Sequence, residues 1–181
     1  MNRAIIIGNS GSGKTYLANR LSQAFSVPVT HLDELFWEPG GFTQKRPKEV
    51  VLYEISILIE KEQWIVEGVF GELAKEFTKR ADSLIWLDMD WEYCRTNLLH
   101  RGSESSRQLD PAQAEISFGE LLEWASHYWN RDDLRSHLGH DRLFSNFSGT
   151  KYCLKSRDDV NHFLSMITND LGNQRDQEIG Q

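Results

Sequence analysis

The chain has little of several features that mark specialised protein classes. Of its 181 residues only two are cysteine and four are proline, so neither a disulfide framework nor a proline-rich disordered chain is expected. Its longest purely apolar runs, such as Ala4–Ile7 and Leu84–Leu87, are four residues long, whereas a membrane-spanning helix needs about 20. No signal peptide precedes the first run. We therefore expect one globular domain in the reducing cytoplasm.

Basic charge is also in deficit. Lysine and arginine total 20 against 27 acidic residues, which gives a formal net charge of −7. Proteins that bind nucleic-acid backbones usually carry a basic surplus or a basic stripe. We therefore expect neither nucleic acid nor a membrane as a direct partner, and a small molecule is the expected ligand.

Short apolar runs alternate with amphipathic stretches, and this pattern is typical of an α/β protein with a mainly parallel sheet. The predicted strands are Ala4–Gly8, Pro28–Leu32, Gln63–Glu67, Ser83–Asp88 and Thr150–Leu154. The predicted helices are Lys14–Phe25, Lys48–Lys61, Gly71–Arg80, Trp91–Arg101, Phe118–His137 and Arg157–Leu171. Two irregular stretches, Glu34–Pro47 and Gly102–Ser117, follow strands or their helices, where such folds bind ligands. The polar tail, 172–181, is expected to be flexible.

The strongest motif is a phosphate-binding loop between the first strand and the first helix. Its residues match G-x-x-x-x-G-K-[ST] in full and are Gly8, Asn9, Ser10, Gly11, Ser12, Gly13, Lys14 and Thr15. Such glycine-rich loops point backbone N–H groups at phosphate oxygens, and the following helix adds its positive end. We expect Lys14 to reach the β- and γ-phosphates of a nucleoside triphosphate and the Thr15 hydroxyl to ligate Mg²⁺.

Three acidic residues end predicted strands and could complete such a site. Glu67 is the preferred second Mg²⁺ group. Asp33 is a candidate general base for an acceptor hydroxyl, a second Mg²⁺ anchor, or a cap of the following turn. Asp88 is interpreted as a cap for the helix that begins near Trp91.

Arginines are suited to clamp a transferring phosphoryl group. Arg101 and Arg107 border or enter the second irregular stretch, so they could belong to a closing lid or could be ordinary surface residues. Arg131 and Arg135, on the next predicted helix, could also serve this clamp. The interpretation as surface ion-pair residues is slightly preferred, because Asp132 and Asp133 lie beside them in sequence.

The first irregular stretch contains aromatic and basic residues that could form an acceptor pocket or, alternatively, a small satellite core and a solvated helix start. They are Phe36, Trp37, Phe42, Lys45, Arg46 and Lys48. His137 and His140 are interpreted as surface histidines, because no cysteine or acid completes a zinc set.

Four segments together resemble the adenylate-kinase-like P-loop proteins of the DNA-topology-modulation (FlaR-like) family. They are G-N-S-G-S-G-K-T, H-L-D-E-L-F-W-E-P-G, W-I-V-E-G-V-F and A-D-S-L-I-W-L-D, and the closing K-Y-C-L-K-S-R-D-D-V-N-H-F-L is also similar. The resemblance covers about residues 3–166.

The resemblance implies a nucleoside-monophosphate-kinase-like fold with a five-stranded parallel sheet in the order 2-3-1-4-5. It implies a single domain over residues 1–171, with an acceptor-binding insert near 34–62 and an arginine-bearing lid near 101–117. By position, Asp33 faces the acceptor, Glu67 lies on the Mg²⁺ side and Arg157 lies near the nucleotide base. Relatives commonly carry Asp at the position of Glu67, and an arginine that usually follows this strand is missing from residues 68–72.

The sequence therefore supports the hypothesis of a Mg²⁺-dependent kinase that transfers the γ-phosphoryl group of ATP to a nucleoside monophosphate, a nucleoside or another small hydroxyl compound. Two alternatives remain. One is an ATP-binding regulator with little turnover, and the other is a plain NTPase.

Overall fold

The computed structural model describes residues 1–39, 44–102 and 111–167, apart from the side chains of residues 111 and 113. Its sheet has five strands in the order β2-β3-β1-β4-β5, and every pairing is parallel. The strands are β1 (Arg3–Gly8), β2 (Val29–His31), β3 (Trp64–Gly68), β4 (Ser83–Leu87) and β5 (Thr150–Leu154). The predicted α/β class and strand order are confirmed.

Helices cover both faces of this sheet. They are α1 (Lys14–Phe25), α2 (Leu32–Phe36), α3 (Lys48–Ile59), α4 (Gly71–Phe77), α5 (Trp91–Arg101), α6 (Pro111–Ser126), α7 (His137–Asn146) and α8, which covers the described residues 157–167. None of these helices, over the residues that the structure describes, combines the length and the apolar character of a membrane-spanning segment.

The central strand β1 explains why the core has two halves. Alternate side chains of a strand point to opposite faces, and Ile5 and Ile7 pack with α2, α3, α4 and α7 on one face. Ile6 packs with α1, α5 and α8 on the other. All three isoleucines are fully buried, as expected for a strand that is covered on both sides.

One predicted helix was wrong. The segment Phe118–His137 does not form a single helix, because α6 ends at Ser126 and α7 begins at His137. The Asp133 carboxylate accepts a hydrogen bond from the backbone N–H of Arg135 at 2.7 Å. The Ser136 hydroxyl then caps α7 by accepting from the N–H of Gly139 at 3.1 Å. Local side-chain hydrogen bonds of this kind compete with helix formation and favour a turn.

Both irregular stretches are partly helical. Helix α2 begins at Leu32, because Leu32 and Leu35 bury their side chains in the core, and residues 111–117 belong to α6. Residues 40–43, 103–110 and 168–181 lie outside the described part of the chain. The tail prediction and residues 103–110 of the proposed lid fall there.

Candidate functional site

The phosphate-binding loop is fixed against α5. Gly11 has φ of +78°, and a Cβ atom built on it would lie 2.3 Å from the carbonyl oxygen of Cys94. Only glycine tolerates both the conformation and this close approach. The Asn97 side chain donates to the Gly11 carbonyl at 2.8 Å. The loop therefore has a fixed path before any ligand binds.

Asn9 fastens the same loop to α6, a role that the sequence did not predict. Its side chain is fully buried, donates to the carbonyl of Ala125 at 3.0 Å and accepts from the N–H of Ser10 at 2.8 Å. In the motif this position is unrestricted, so no local signal marked it. The anchor joins the nucleotide side of the site to the helix that follows the proposed lid.

The side chain of Lys14 folds back onto the phosphate-binding loop. Its side chain is 8% exposed, and its ammonium group donates to the carbonyl of Asn9 at 2.8 Å. Beside it, the Ser12 hydroxyl oxygen is buried and has no hydrogen-bond partner within the described structure. A buried cation and an orphaned hydroxyl in a strand-to-helix loop fit the oxygens of a triphosphate.

Glu67, at 3% exposure, is the centre of a small polar cluster. Its Oε1 accepts from the Thr15 hydroxyl at 2.9 Å and lies 2.6 Å from Nδ1 of His31. Burial by itself would raise the pKa of Glu67, but the hydrogen bond from His31, the charge of Lys14 and the hydrogen bond from Thr15 lower it overall. The same contact with Glu67 raises the pKa of His31. Glu67 is therefore held ionised.

This donor set is suited to Mg²⁺. Thr15 and Glu67 supply a hydroxyl and a carboxylate oxygen within hydrogen-bond distance of each other, and Mg²⁺ prefers such hard oxygen ligands. No group of three or more histidine, cysteine or acidic side chains within the described ranges could hold a metal by itself. Phosphate and water oxygens would have to complete the coordination shell. His31, which the sequence interpretation did not use, occupies the register position opposite Glu67.

Asp33 lies in the first turn of α2, next to this cluster. Burial raises its pKa, whereas the positive charge of Lys14 lowers it and the negative charge of Glu67 raises it. The two carboxylates therefore share one neighbouring ammonium group and differ in their partners. Glu67 is hydrogen-bonded and has a lowered pKa, whereas Asp33 has a raised pKa and is therefore the more basic carboxylate.

The proposed helix cap at Asp88 is wrong. Asp90 caps α5 by accepting from the N–H of Tyr93 at 2.7 Å. Asp88 instead pairs with Nε2 of His137 at 3.0 Å and with the ammonium group of Lys155 at 3.6 Å. It lies only two residues before the cap, a distance that a sequence pattern does not resolve.

An aromatic pair joins α2, the helix that carries Asp33, to the turn after β3. Phe36 and Phe70 stack with ring centroids 4.5 Å apart, and we call this pair the aromatic shelf. The guanidinium carbon of Arg135 lies 4.3 Å from the Phe36 centroid and 4.4 Å from the Phe70 centroid. Phe36 follows Asp33 by three residues in α2, so both side chains lie on one face of that helix.

Arg135 was expected on the surface beside aspartates, and its side chain instead contacts a different element. Its Nε donates to Oε1 of Glu72 at 2.7 Å, and its terminal nitrogen also pairs with that oxygen. The segment after β3 has no arginine of its own, but the fold brings the guanidinium of Arg135 to Phe70 and Glu72 there. Arg131 does pair with Asp133 as adjacency suggests, at 2.8 Å.

The rest of the first irregular stretch supports α2 and α3. Trp37 packs edge-on against Phe36, with centroids 4.8 Å apart, and Arg46 donates to Glu54 of α3 at 2.9 Å. Lys45 has its ammonium group 5.7 Å from the Phe36 centroid. Phe42 lies outside the described residues.

The remaining predicted site residues are three arginines at separate positions in the chain. Arg101 ends α5 and is exposed. Burial raises the pKa of Asp33, and the positive charge of Arg101 offsets a small part of this rise. Arg157 is exposed at the first position of α8. Arg107 lies outside the described residues, so its predicted role stays a prediction.

His140 is not a surface residue, contrary to the sequence interpretation. It is fully buried. Its Nδ1 lies 2.6 Å from the Tyr128 hydroxyl, and its Nε2 lies 2.9 Å from the carbonyl oxygen of Val69. That hydroxyl accepts from the Trp86 indole at 3.3 Å. Burial lowers the pKa of His140 to about 3, so the neutral ring, donating from Nε2, ties the turn after β3 to the core.

Comparisons with protein-family models and with curated proteins gave no match. Among solved structures, shikimate kinase from Bacteroides thetaiotaomicron is similar, with 15% identity, a TM-score of 0.50 and coverage of 94% of this chain and 98% of that chain. Shikimate kinase from Aquifex aeolicus vf5 is 18% identical with a TM-score of 0.48, covering 96% and 98%. A gluconokinase from Sinorhizobium meliloti 1021 is 14% identical with a TM-score of 0.46, covering 96% and 97%. The first of these likenesses, at a TM-score of 0.50, shows that the chain has the fold of the P-loop kinases.

Proposed function

We propose that the protein is a Mg²⁺-dependent kinase that transfers the γ-phosphoryl group of ATP to a hydroxyl of a small acceptor in the cytoplasm. The observation that carries this proposal is the pair of carboxylates at the edge of the sheet. Asp33 and Glu67 both lie in the field of Lys14 but have different partners, as a base and a metal group would require.

On the nucleotide side, the loop from Gly8 to Thr15 would bind the phosphates through its N–H groups. Lys14 would leave the carbonyl of Asn9, to which it now donates, and contact the oxygens of the transferring group. Thr15 and Glu67 would hold Mg²⁺, which neutralises phosphate charge when bound. His31 would keep the Glu67 carboxylate in one orientation.

On the acceptor side, Asp33 would accept the proton of the attacking hydroxyl. The oxygen would form its bond to the γ-phosphorus as the bond to the β-phosphate oxygen breaks, and ADP would leave. A carboxylate whose pKa is raised by burial is a better base than an exposed one. The aromatic shelf would form one wall of the acceptor pocket.

Arg101 and Arg107 would complete the charge clamp from the lid, where their closure would exclude water from the site. Arg157 would lie near the base of the nucleotide. The shikimate kinase with a TM-score of 0.50 has the same fold and is, by its name, a kinase of shikimate. That parallel is an analogy of fold, and it agrees with a small acceptor rather than a macromolecule.

The test is acceptor-dependent formation of ADP. The protein is incubated with ATP and Mg²⁺ against a panel of nucleoside monophosphates, nucleosides and small hydroxyl metabolites, with Lys14→Ala as the blank. We expect one class of acceptor to accelerate ADP formation. Slow ADP formation that is indifferent to every acceptor would contradict the kinase and favour the NTPase. Tight ATP binding without turnover would favour the regulator.

A further inference from the structure

The outward side of α3 exposes more apolar surface than any other described helix. It carries four large apolar side chains that are more than a third exposed, namely Val50, Leu52, Tyr53 and Ile57. Among the described residues, no other helix carries more than one such side chain. Single exposed apolar residues are normal on a protein surface, whereas a contiguous group marks a contact site.

Three of these side chains form a continuous stripe. Val50, Tyr53 and Ile57 are spaced by three and four residues, so they lie on one side of the helix. Their exposed fractions are 42%, 67% and 50%, and we call these three residues the α3 stripe. Val51 and Ile55 are buried in the core. The helix therefore has a second apolar side besides the one that packs on the sheet.

The apolar surface continues from the α3 stripe to the edge of the sheet. Ile57 belongs to the lining of an open groove of about 310 Å³, whose other lining residues are Thr30, Leu35, Glu54 and Leu58. Thr30 belongs to β2, the outermost strand on this side of the sheet. Strand edges are commonly covered by another element or another chain. The stripe, the groove and the strand edge thus form one surface.

Charges on this surface are nearly balanced. Glu54 and Glu60 are each paired with an arginine, and the exposed Lys48 and Glu49 begin the helix side by side. The whole chain carries a net charge of −7, so two copies repel each other at long range. At this surface they would meet less repulsion than the net charge suggests.

The shape of the surface is complementary to itself. Successive helical residues are rotated by about 100°, so Tyr53 lies about 50° to one side of the line through Val50 and Ile57. By the same geometry Glu54 and Leu58, which line the groove, lie on the other side of that line. Two copies related by a two-fold axis along this line would each place Tyr53 opposite the groove of the other.

Tyr53 also suits the groove chemically. Its ring would pack against the side chains of Leu35 and Leu58, and its hydroxyl would reach the polar lining residues Thr30 and Glu54. Tyrosine is enriched at protein interfaces because it joins a large apolar ring to a polar end.

Charge follows the same two-fold arrangement. Glu60 falls on the Tyr53 side of the line and Lys61 on the groove side, and both are exposed. The axis that places Tyr53 in the opposite groove therefore brings Glu60 of one copy toward Lys61 of the other. An antiparallel arrangement would instead bring Glu60 toward Glu49, where like charges repel.

We propose that the α3 stripe and the adjoining groove are the contact surface of a homodimer. The two α3 helices run parallel across the two-fold axis, and Tyr53 of each copy fills the groove of the other. The inference is independent of the proposed function, because no ligand and no catalytic residue enters it.

Analytical ultracentrifugation of the full chain, from about 1 µM to about 1 mM, tests the proposal. We expect the mass to rise with concentration from the 21.0 kDa monomer to twice that value. Tyr53→Glu should raise the dimer dissociation constant about a hundredfold or more, because it places a carboxylate in both grooves. Met166→Glu, at a 42% exposed position of α8, is the matched control and should leave the constant unchanged.

A charge exchange tests the two-fold arrangement without touching the apolar contact. Glu60→Lys and Lys61→Glu should each weaken the dimer by about two- to threefold, since exposed ion pairs contribute little. The double variant restores opposite charges across the axis and should recover the original dissociation constant. Thermal unfolding checks that each variant is folded, and the exchange remains informative if Tyr53→Glu is not.

A monomer at every concentration would overturn the inference and leave this surface to a different macromolecule. A dimer that Tyr53→Glu does not weaken would overturn it as well, because the contact would then lie on another face. Weaker association in the double variant than in either single variant would contradict the parallel arrangement. The ADP assay decides the proposed function separately, because a kinase without this dimer and a dimer without kinase activity give different pairs of results.

Discussion

The proposed nucleotide side and the proposed acceptor side of this site are built in different ways. The nucleotide side is one contiguous loop, Gly8 to Thr15, whose path is fixed by backbone approach to Cys94 and by hydrogen bonds from Asn9 and Asn97. The acceptor side joins α2, the start of α4 and the turn before α7 through the contacts of Phe36, Phe70 and Arg135. One side is a local motif, and the other exists only in the folded chain.

The two sides are also held in shape by different interactions. Hydrogen bonds from the Asn9 and Asn97 side chains and the tight contact of Gly11 with Cys94 hold the loop in one shape. The proposed acceptor side depends instead on ring stacking and on an ion pair between distant segments. We therefore call the loop the rigid side.

The largest expected effect tests the rigid side. Lys14→Ala should lower phosphoryl transfer by about three orders of magnitude, because it removes a preorganised charge from the transferring group, while the fold stays intact. The rate is measured by acceptor-dependent ADP formation, and folding by thermal unfolding. Lys151→Ala, on an exposed position of β5, is the matched control. An unchanged rate in a folded Lys14→Ala protein would remove the loop from the active site.

The next effect separates the two sides. Asp33→Asn should reduce transfer by about a hundredfold or more, because a general base is lost, while ATP affinity is retained. ATP binding is measured by calorimetry beside the rate, and Glu34→Gln, an exposed acid in the same helix, serves as control. If ATP affinity collapsed together with the rate, Asp33 would belong to the Mg²⁺ side instead.

A third prediction concerns the buried histidine that supports the acceptor side. The pKa of His140 is about 3 in the folded protein against about 6.5 unfolded. The unfolded chain therefore binds the extra proton between these values, and stability that is present above pH 6.5 is lost as the pH falls toward 3. Between pH 7.5 and pH 5 this group should cost about 2 kcal/mol.

Urea unfolding at the two pH values measures this loss. His140→Asn should be less stable at pH 7.5, because Val69 and Tyr128 lose a partner, but its stability should fall less on acidification. The exposed His162 changed to asparagine is the control and should keep the full pH response. Equal acid sensitivity in the His140→Asn protein would argue against a neutral buried ring.

The smallest effect is expected for the ion pair between Arg46 and Glu54, which joins the first irregular stretch to α3. Glu54→Gln removes the partner of Arg46, but half-exposed ion pairs of this kind contribute less than about 1 kcal/mol. We expect a two- to threefold rise in the acceptor KM, with kcat and ATP binding unchanged. A large loss of kcat would show that the Arg46–Glu54 ion pair positions Asp33. The two sides of the site would then differ less in how firmly their residues are held.

Periodicity and one motif predicted most of the framework. Short apolar runs such as Ala4–Ile7 indicated buried parallel strands, and the octet ending at Thr15 predicted the nucleotide side. The helix break near Arg135 was missed because its cause is a pair of local hydrogen bonds at Asp133 and Ser136, which composition alone does not distinguish from a polar helix surface. His140 was misplaced for a related reason, since its burial depends on partners from Val69 and Tyr128.

The sequence by itself determined the α/β framework, the strand order that its resemblance implied, and the phosphate-binding loop. The framework and the loop follow from local preferences, because glycine conformations, apolar runs and helix starts act between neighbours in the chain. The strand order came from the resemblance alone, since it depends on pairings between distant segments. Only the tertiary structure decided which side chains Arg135 contacts, namely Phe36, Phe70 and Glu72. It also decided that His31 and Thr15 both contact Oε1 of Glu67, and that His140 is buried. Those contacts join distant segments, and their energies depend on burial and orientation, which arise only once the sheet has brought the segments together.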